Sequence, residues 1–398
     1  MATTAGVGTS HHHNPNVAGR EAAEQALKEA GLDRPDFVFV FASIGYDQQS
    51  LLRAVREATG RASLSGCSAE GTINGDEADE SNFSVVVTAI SSDELQWTNG
   101  LAKGLSGDSR TVGQRVAQEL FPHLSSETIG LFVFPDGLNL TLYSFFAGLE
   151  ENLPSERFLP MWGGGVGNNL NLREPAYQYC DDEAVSNGVS YALLSGEAQV
   201  SWAISHGMVP IGGKRKVTRS QGNIIYEFDG KPAIEMLKEY LPEHALIEDR
   251  NWMDYAISLA LIFEAPNYME DEEYVVRGVP GIRMADGSIT VQTEVPEGTS
   301  IWFSSRDKEK ISTRFDQMAG QIKDQLGDEK PKLVFQFECS TRGKLQFREQ
   351  KKQEIFRRFR QSVDPDVPWA GFYTIGEIGP VEEHNDHHLY TSVVLALN

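Results

Sequence analysis

The sequence predicts an α+β protein of two domains, with mixed, largely antiparallel sheets flanked by helices and βαβ-like units in the N-terminal half. Three observations carry this expectation. Helical and strand periodicities alternate from residue 17 to residue 153. After Trp162 strand signals come at short spacing, separated by Gly and Asn turns. Past Gln221-Gly222, Asp229-Gly-Lys-Pro232 places a proline where a new helix opens.

In chain order, residues 17–30 carry an Ala/Leu face with charges opposite, and Gly31 and Pro35 end that helix. The run Phe37-Val-Phe-Val-Phe41 reads as a buried strand, 51–58 as a helix, 62–66 as a short extended piece and 83–90 as a strand. Helices at 111–121 and 138–153 flank a strand at 128–134, which ends at Pro135-Asp136-Gly137. Strands follow at 176–180, 188–194, 199–206, 214–219 and 223–228, consistent with antiparallel sheet. The expected domains are therefore 1–221 and 222–398. The second holds a helix at 233–240, strands at 255–263, 273–277, 288–291 and 299–304, and a helix at 308–326. Two late strands, 333–337 and 371–374, run into polar loops. No repeat at solenoid periods is visible.

A chain of 398 residues exceeds one average domain, and 40% hydrophobic content supplies material for packed cores. A formal charge of -22 repels phosphate backbones and no long Lys/Arg block offsets it, so nucleic acid is not an expected partner. The longest apolar runs fall well short of the roughly 20 residues of a membrane span, so no membrane insertion is expected. With no secretory signal pattern and with Cys67, Cys180 and Cys339 far apart, the expected compartment is the reducing cytoplasm. The sequons at Asn82 and Asn139 then read as chance matches.

Several motifs fail on inspection. Gly163-Gly-Gly-Val-Gly167 lacks the Gly-Lys-Ser/Thr ending of a phosphate loop, because Asn168-Asn169 follows, and it reads as a tight turn or a ligand-cradling loop. Ser68 cannot sit in a nucleophile elbow, because Glu70 stands where a glycine is needed. His384-Asn-Asp-His387-His388 reads as a solvated loop, since neighbouring histidines on a strand face opposite ways. No cofactor motif is present and no cofactor is expected. Arg342 and Glu377, each at the end of a late strand, suit a zwitterion held by a guanidinium fork and a carboxylate, or else pair with each other. Cys339 lies three residues before Arg342, close enough for the cation to favour a thiolate.

The chain resembles the FIST family over nearly its whole length. The first half is similar to a FIST N-terminal domain through Leu64-Ser-Gly-Cys-Ser-Ala-Glu-Gly71, Phe134-Pro-Asp-Gly137, Trp162-Gly-Gly-Gly165, Ala203-Ile-Ser-His-Gly207 and Pro210-Ile-Gly212. The second half is similar to a FIST C-terminal domain through Phe228-Asp-Gly-Lys-Pro-Ala233, Phe337-Glu-Cys-Ser-Thr-Arg342 and Gly371 to Pro380 with His384-Asn385. The resemblance implies a sensory module for small molecules such as amino acids, and it brings no catalytic set. Glu70 and Asn168 depart from the family pattern, which expects a small residue and an acidic one there.

The expected function is a stand-alone sensor of a small polar ligand, an amino acid being one candidate. It would signal by conformational change or through a signalling protein partner. The expected ligand residues are Cys339, Arg342, Glu377, His384 and Asn385, then Cys67, Ser68, Gly164 and Gly165. The alternatives are a hydrolase or transferase using Cys67 or Cys339, and a ligand-free interaction scaffold.

Overall fold

Phe37-Val-Phe-Val-Phe41 has no polar face, and the structure buries it on both sides. This computed structural model describes residues 3–137, 142–154, 158–169, 175–241, 259–269 and 272–398, with backbone alone at 264–269 and 272–274. The sequon at Asn139, the first turn of the helix expected at 138–153 and the first part of the strand expected at 255–263 lie outside the described residues.

One supersecondary module is built three times. The first copy is β1 (Thr4–Ser10), α1 (Pro15–Ala30), β2 (Phe37–Ser43), α2 (Gln48–Ala58), β3 (Ser63–Ala69), the hairpin β4 (Gly71–Asn74) and β5 (Glu77–Asp79), and β6 (Val85–Ser91). The second is β7 (Leu95–Lys103), α3 (Ser109–Leu120), β8 (Thr128–Pro135), α4 (Leu142–Glu150), β9 (Met161–Gly164), the hairpin β10 (Gln178–Cys180) and β11 (Glu183–Val185), and β12 (Gly188–Gly196).

The third copy opens with β13 (Val200–Ser205) and is then interrupted. The interruption holds β14 (Met208–Gln221), β15 (Ile224–Phe228), β16 (Lys231–Pro232), α5 (Ala233–Leu237), β17 (Leu259–Met269), β18 (Glu272–Gly278), β19 (Gly281–Arg283), β20 (Ser288–Thr290) and β21 (Ser300–Arg306). The module resumes with α6 (Lys308–Leu326), β22 (Leu333–Cys339), α7 (Glu349–Val363), β23 (Trp369–Thr374), the hairpin β24 (Glu377–Val381) and β25 (His384–His388), and β26 (Ser392–Leu397).

The three six-stranded sheets have the same order: β1-β6-β2-β3-β10-β11, β7-β12-β8-β9-β24-β25 and β13-β26-β22-β23-β4-β5. In each, the two middle strands are parallel and the hairpin at the edge comes from another module, so the hairpin exchange closes in a cycle. Equivalent positions then follow from register. Gly66, Gly163 and Gly371 face Val40, Val133 and Gln336, and a Cβ at any of the three would fall on that partner's carbonyl oxygen. Phe39, Phe132 and Phe335 meet in one triangle, with ring centroids 5.2, 5.0 and 5.1 Å apart. Aromatic burial of this kind is worth several kcal/mol per ring, on the order of 2–3 each.

Residues 206–314 with 388–390 form a second compact unit. Its eight-stranded sheet runs β18-β17-β21-β14-β15-β20-β19, with β16 on β15, and its core includes Val217, Phe228, Leu261 and Phe303. The division expected at 221/222 falls at the β14–β15 turn, where Gly222 has φ 57°. Among the described residues no helix is long and apolar enough to cross a membrane.

Candidate functional site

Open α/β sheets place ligands at the carboxyl ends of their parallel strands, and the repeated module supplies three such ends. At each, the residue leaving the middle strand donates its N–H to the residue that enters the module's last strand: Ser43 to Ser84, Asp136 to Gly188 and Cys339 to Thr391, at 2.8–2.9 Å. Beside these bonds sit three equivalent buried polar side chains, Thr72, Gln178 and Glu377, opposite Phe372, Cys67 and Gly164.

In the third module this end is filled by the protein itself. Arg342 is fully buried; its Nε donates to Glu338 Oε1 at 2.5 Å and its Nη1 to the Ser205 carbonyl at 3.0 Å. Gln336 Nε2 donates to the other Glu338 oxygen, and Trp369 Nε1 to Gln336 Oε1. The guanidinium lies 5.1 Å over the Phe315 ring. The fork expected to take a ligand carboxylate therefore holds Glu338, four residues back on the same segment.

Glu377 is also fully buried, and its partners are Thr374 and Thr391. Arg342 and Glu377 thus do not share a water-accessible hollow, and they do not pair with each other; each is neutralised or solvated by its own neighbours. Burial raises the Glu377 carboxyl to about 7, against the lowering effect of bonds from Thr374 and Thr391, and the charge of Glu338 adds to the rise.

Cys339 is buried, with its Sγ 3.1 Å from Thr341 Oγ1. Cys67 is buried at the equivalent end of the first module, and burial pushes its thiol well above the ordinary value. Gly164 lies against Thr374, and Gly165 exchanges backbone bonds with Gly376 and Ile375, so these glycines serve the close approach of two strands.

The loop expected at 384–388 is strand β25, with Asp386, His387 and His388 buried. The hairpin exchange carries this polar run into the second module's sheet, an environment that local composition does not reveal. Asn385 clamps that docking: its Oδ1 accepts from Met161 N at 2.7 Å, and its Nδ2 donates to Leu159 O and Glu150 Oε1. His384 and Asn385 line a separate cavity of about 310 Å³ with Glu150 and Phe158.

The roomier opening is at the first module. A cavity of about 490 Å³ lies where the β2–α2 loop meets Tyr177, which precedes the hairpin donated by the second module. Asp47 caps α2 by accepting from Ser50 N at 2.9 Å. Tyr46 is 5% exposed, its ring stands edge-on to Phe83 at 5.4 Å, and its hydroxyl has no hydrogen-bond partner among the described residues. Such an orphan costs roughly 1–3 kcal/mol unless something meets it.

The opposite wall is Asn168 and Asn169, held by Ser68 and Glu70. Ser68 Oγ donates to Gly167 O at 2.8 Å and accepts from Tyr177 N at 2.9 Å. Glu70 Oε1 accepts from Asn168 N at 2.8 Å. The two departures from the family pattern, Glu70 and Asn168, are therefore partners in one contact. Sequence reasoning named Ser68 but missed Tyr46, Asp47, Phe83 and Tyr177; Asp47 before an apolar-periodic helix was a legible cap signal.

Comparison with known proteins divides the chain near residue 232. The FIST N domain model matches residues 36–231 and the FIST C domain model matches residues 233–380. An uncharacterized protein of Mycobacterium tuberculosis is 25% identical over 397 residues, covering 97% of both chains. One from Methanocaldococcus jannaschii is 22% identical over 365 residues, covering 88% of this chain and 67% of that one. Among solved structures, a chorismatase aligns over 100% of this chain and 99% of its own, at 9% identity and a TM-score of 0.34. A cyanuric acid hydrolase from A. caulinodans aligns over 99% of each, at 9% identity and a TM-score of 0.32. Neither structural likeness is close enough to carry an activity across. With both domain models matched in order and most of its length covered, the chain belongs to the FIST family.

Proposed function

We propose that this protein is a sensor that binds a small polar ligand, an amino acid or a related metabolite, in the first module's cavity. The observation that carries the reading is a cavity of about 490 Å³ lined by Tyr46, whose buried hydroxyl has no partner among the described residues. Pockets of this size suit metabolites. The association of FIST domains with signal transduction and sensing supports the same class.

The signal would arise from the cavity's composition. Tyr46 and Asp47 come from the first module, whereas Asn168, Asn169 and Tyr177 precede the second module's hairpin. A ligand touching both sides favours the arrangement in which they are closed together, and shifts it only as far as its affinities for the two arrangements differ. A changed surface would then be read by a signalling partner. Thiol chemistry at Cys67 gains no support, since burial disfavours the thiolate.

Thermal-shift screening of amino acids, amines and related metabolites tests the reading, because specific binding raises Tm by mass action. A shift that weakens in Tyr46→Phe is expected. A flat screen, or a shift indifferent to every cavity substitution, would sink it.

A further inference from the structure

We infer that the cavity's ligand is an organic ammonium ion with an apolar or aromatic body, held between the Asp47 carboxylate and the rings of Tyr46, Phe83 and Tyr177. This rests on the proposed ligand-binding role of the cavity and names its chemical class.

Charge gives the first argument. Asp47 is the one charged side chain among the described lining residues; the nearest cations stand behind the lining, Lys344 bonded to Asn169, Arg53 near Asp47 and His13 stacked on Phe83. Its carboxyl is held below the usual range by bonds from Ser50, so it stays ionised at neutral pH. The chain's net charge of -22 adds a field that draws cations in. An anion would meet neither a cation nor an uncapped helix end, because Asp47 itself caps α2. A free amino acid would find a partner for its ammonium and, among the described lining residues, no cation for its carboxylate.

The second argument is which groups remain available. Gln48 donates to the carbonyls of Ser43 and Tyr46 and accepts from Tyr179, and Gln49 is bonded to Asp182 and Ala184. Asn169 Oδ1 accepts from Lys344 at 2.8 Å. The carboxamides are therefore largely committed to the fold, and the lining left for a guest is aromatic. Aromatic faces attract cations within about 6 Å. The Tyr46 hydroxyl stays neutral, because burial and the nearby Asp79 and Glu21 charges push its ionisation up, and its oxygen can accept an ammonium N–H.

Isothermal titration of the full-length protein against matched sets tests this: phenethylamine, 2-phenylethanol, phenylacetate and phenylalanine, with the corresponding butyl and indole series. The amines should bind more tightly than their neutral, anionic and zwitterionic partners. Asp47→Asn keeps the helix cap, because asparagine caps as well as aspartate, so the fold is preserved. It should weaken the amine by about tenfold or more and leave the alcohol unchanged. Tyr46→Phe should weaken the amine by several-fold. Equal or tighter binding of the amino acid, alcohol or carboxylate would overturn the amine assignment while leaving the cavity as a ligand site. Binding by none of these sets would overturn the assignment too, and a flat metabolite screen alongside it would overturn the cavity reading itself.

Discussion

Arg342 donates to Glu338 at 2.5 Å, and both side chains are shut away from solvent. Removing one partner of a buried pair leaves the other uncompensated, at about 3–5 kcal/mol. Arg342→Met is expected to lower the unfolding free energy measured by urea titration by that amount, and pairing it with Glu338→Leu should restore much of the loss. A variant of unchanged stability that loses ligand binding would return Arg342 to the binding site.

Glu377 should make stability depend on pH. Its folded carboxyl is raised from 4.5 to about 7, so the stability it carries is fully present below about pH 4.5 and has been lost once pH rises through about 7. At ~1.4 kcal/mol per pKa step, the loss is on the order of 3 kcal/mol. Melting curves between pH 5 and 8 should show Tm falling with pH in the native protein and a flatter profile in Glu377→Gln. The same slope in both would show that this carboxyl does not ionise in the window.

The three glycines at equivalent parallel-strand positions should be equally intolerant. Gly66→Ala, Gly163→Ala and Gly371→Ala each push a methyl onto a strand carbonyl, and each is expected to cost about 3 kcal/mol or more. Chemical denaturation or soluble yield reads this directly. A tolerated alanine at one site would break the equivalence of the modules there.

The thiols should be quiet. Cys67 is fully buried, and Cys180 is pushed up to about 12, mainly by burial. Native protein at pH 8 should resist a disulfide reagent, and all three cysteines should react once it is unfolded. Fast labelling of Cys67 in the native state would reopen its candidacy as a nucleophile.

Much of the fold was legible because burial leaves a mark on composition. The Phe-rich run at 37–41, the Pro/Gly-bounded α1 and the mixed α+β class all follow from periodicity and capping. What escaped were elements whose partners are distant. β1 reads Thr-Ala-Gly-Val-Gly-Thr-Ser and has no strand-like apolar alternation, yet it is buried against β6. α7 hides its apolar stripe of Ile355, Phe356, Phe359 and Val363 among seven charged residues. The threefold repeat was hard to see because few positions keep the same residue in all three copies, chiefly the three glycines and the flanking phenylalanines of the middle strands.

At the candidate site, the sequence pointed to strand ends of the third module, whereas the cavity proposed to bind a ligand lies at the first. Arg342 and Glu377 stood out because they are charged, but charged residues in a strand-end segment are the ones a fold must neutralise internally. The first module's cavity is lined, among the described residues, by three aromatic rings, several carboxamides and one capping carboxylate, and its walls become neighbours only through the hairpin exchange.

The most direct test compares ligand-induced Tm shifts in the native protein, Tyr46→Phe and Glu377→Gln, using whichever metabolite shifts the native protein most. The expected result is a shift retained in Glu377→Gln and clearly reduced in Tyr46→Phe. A shift lost in Glu377→Gln and unchanged in Tyr46→Phe would contradict the account and move the binding site to the third module.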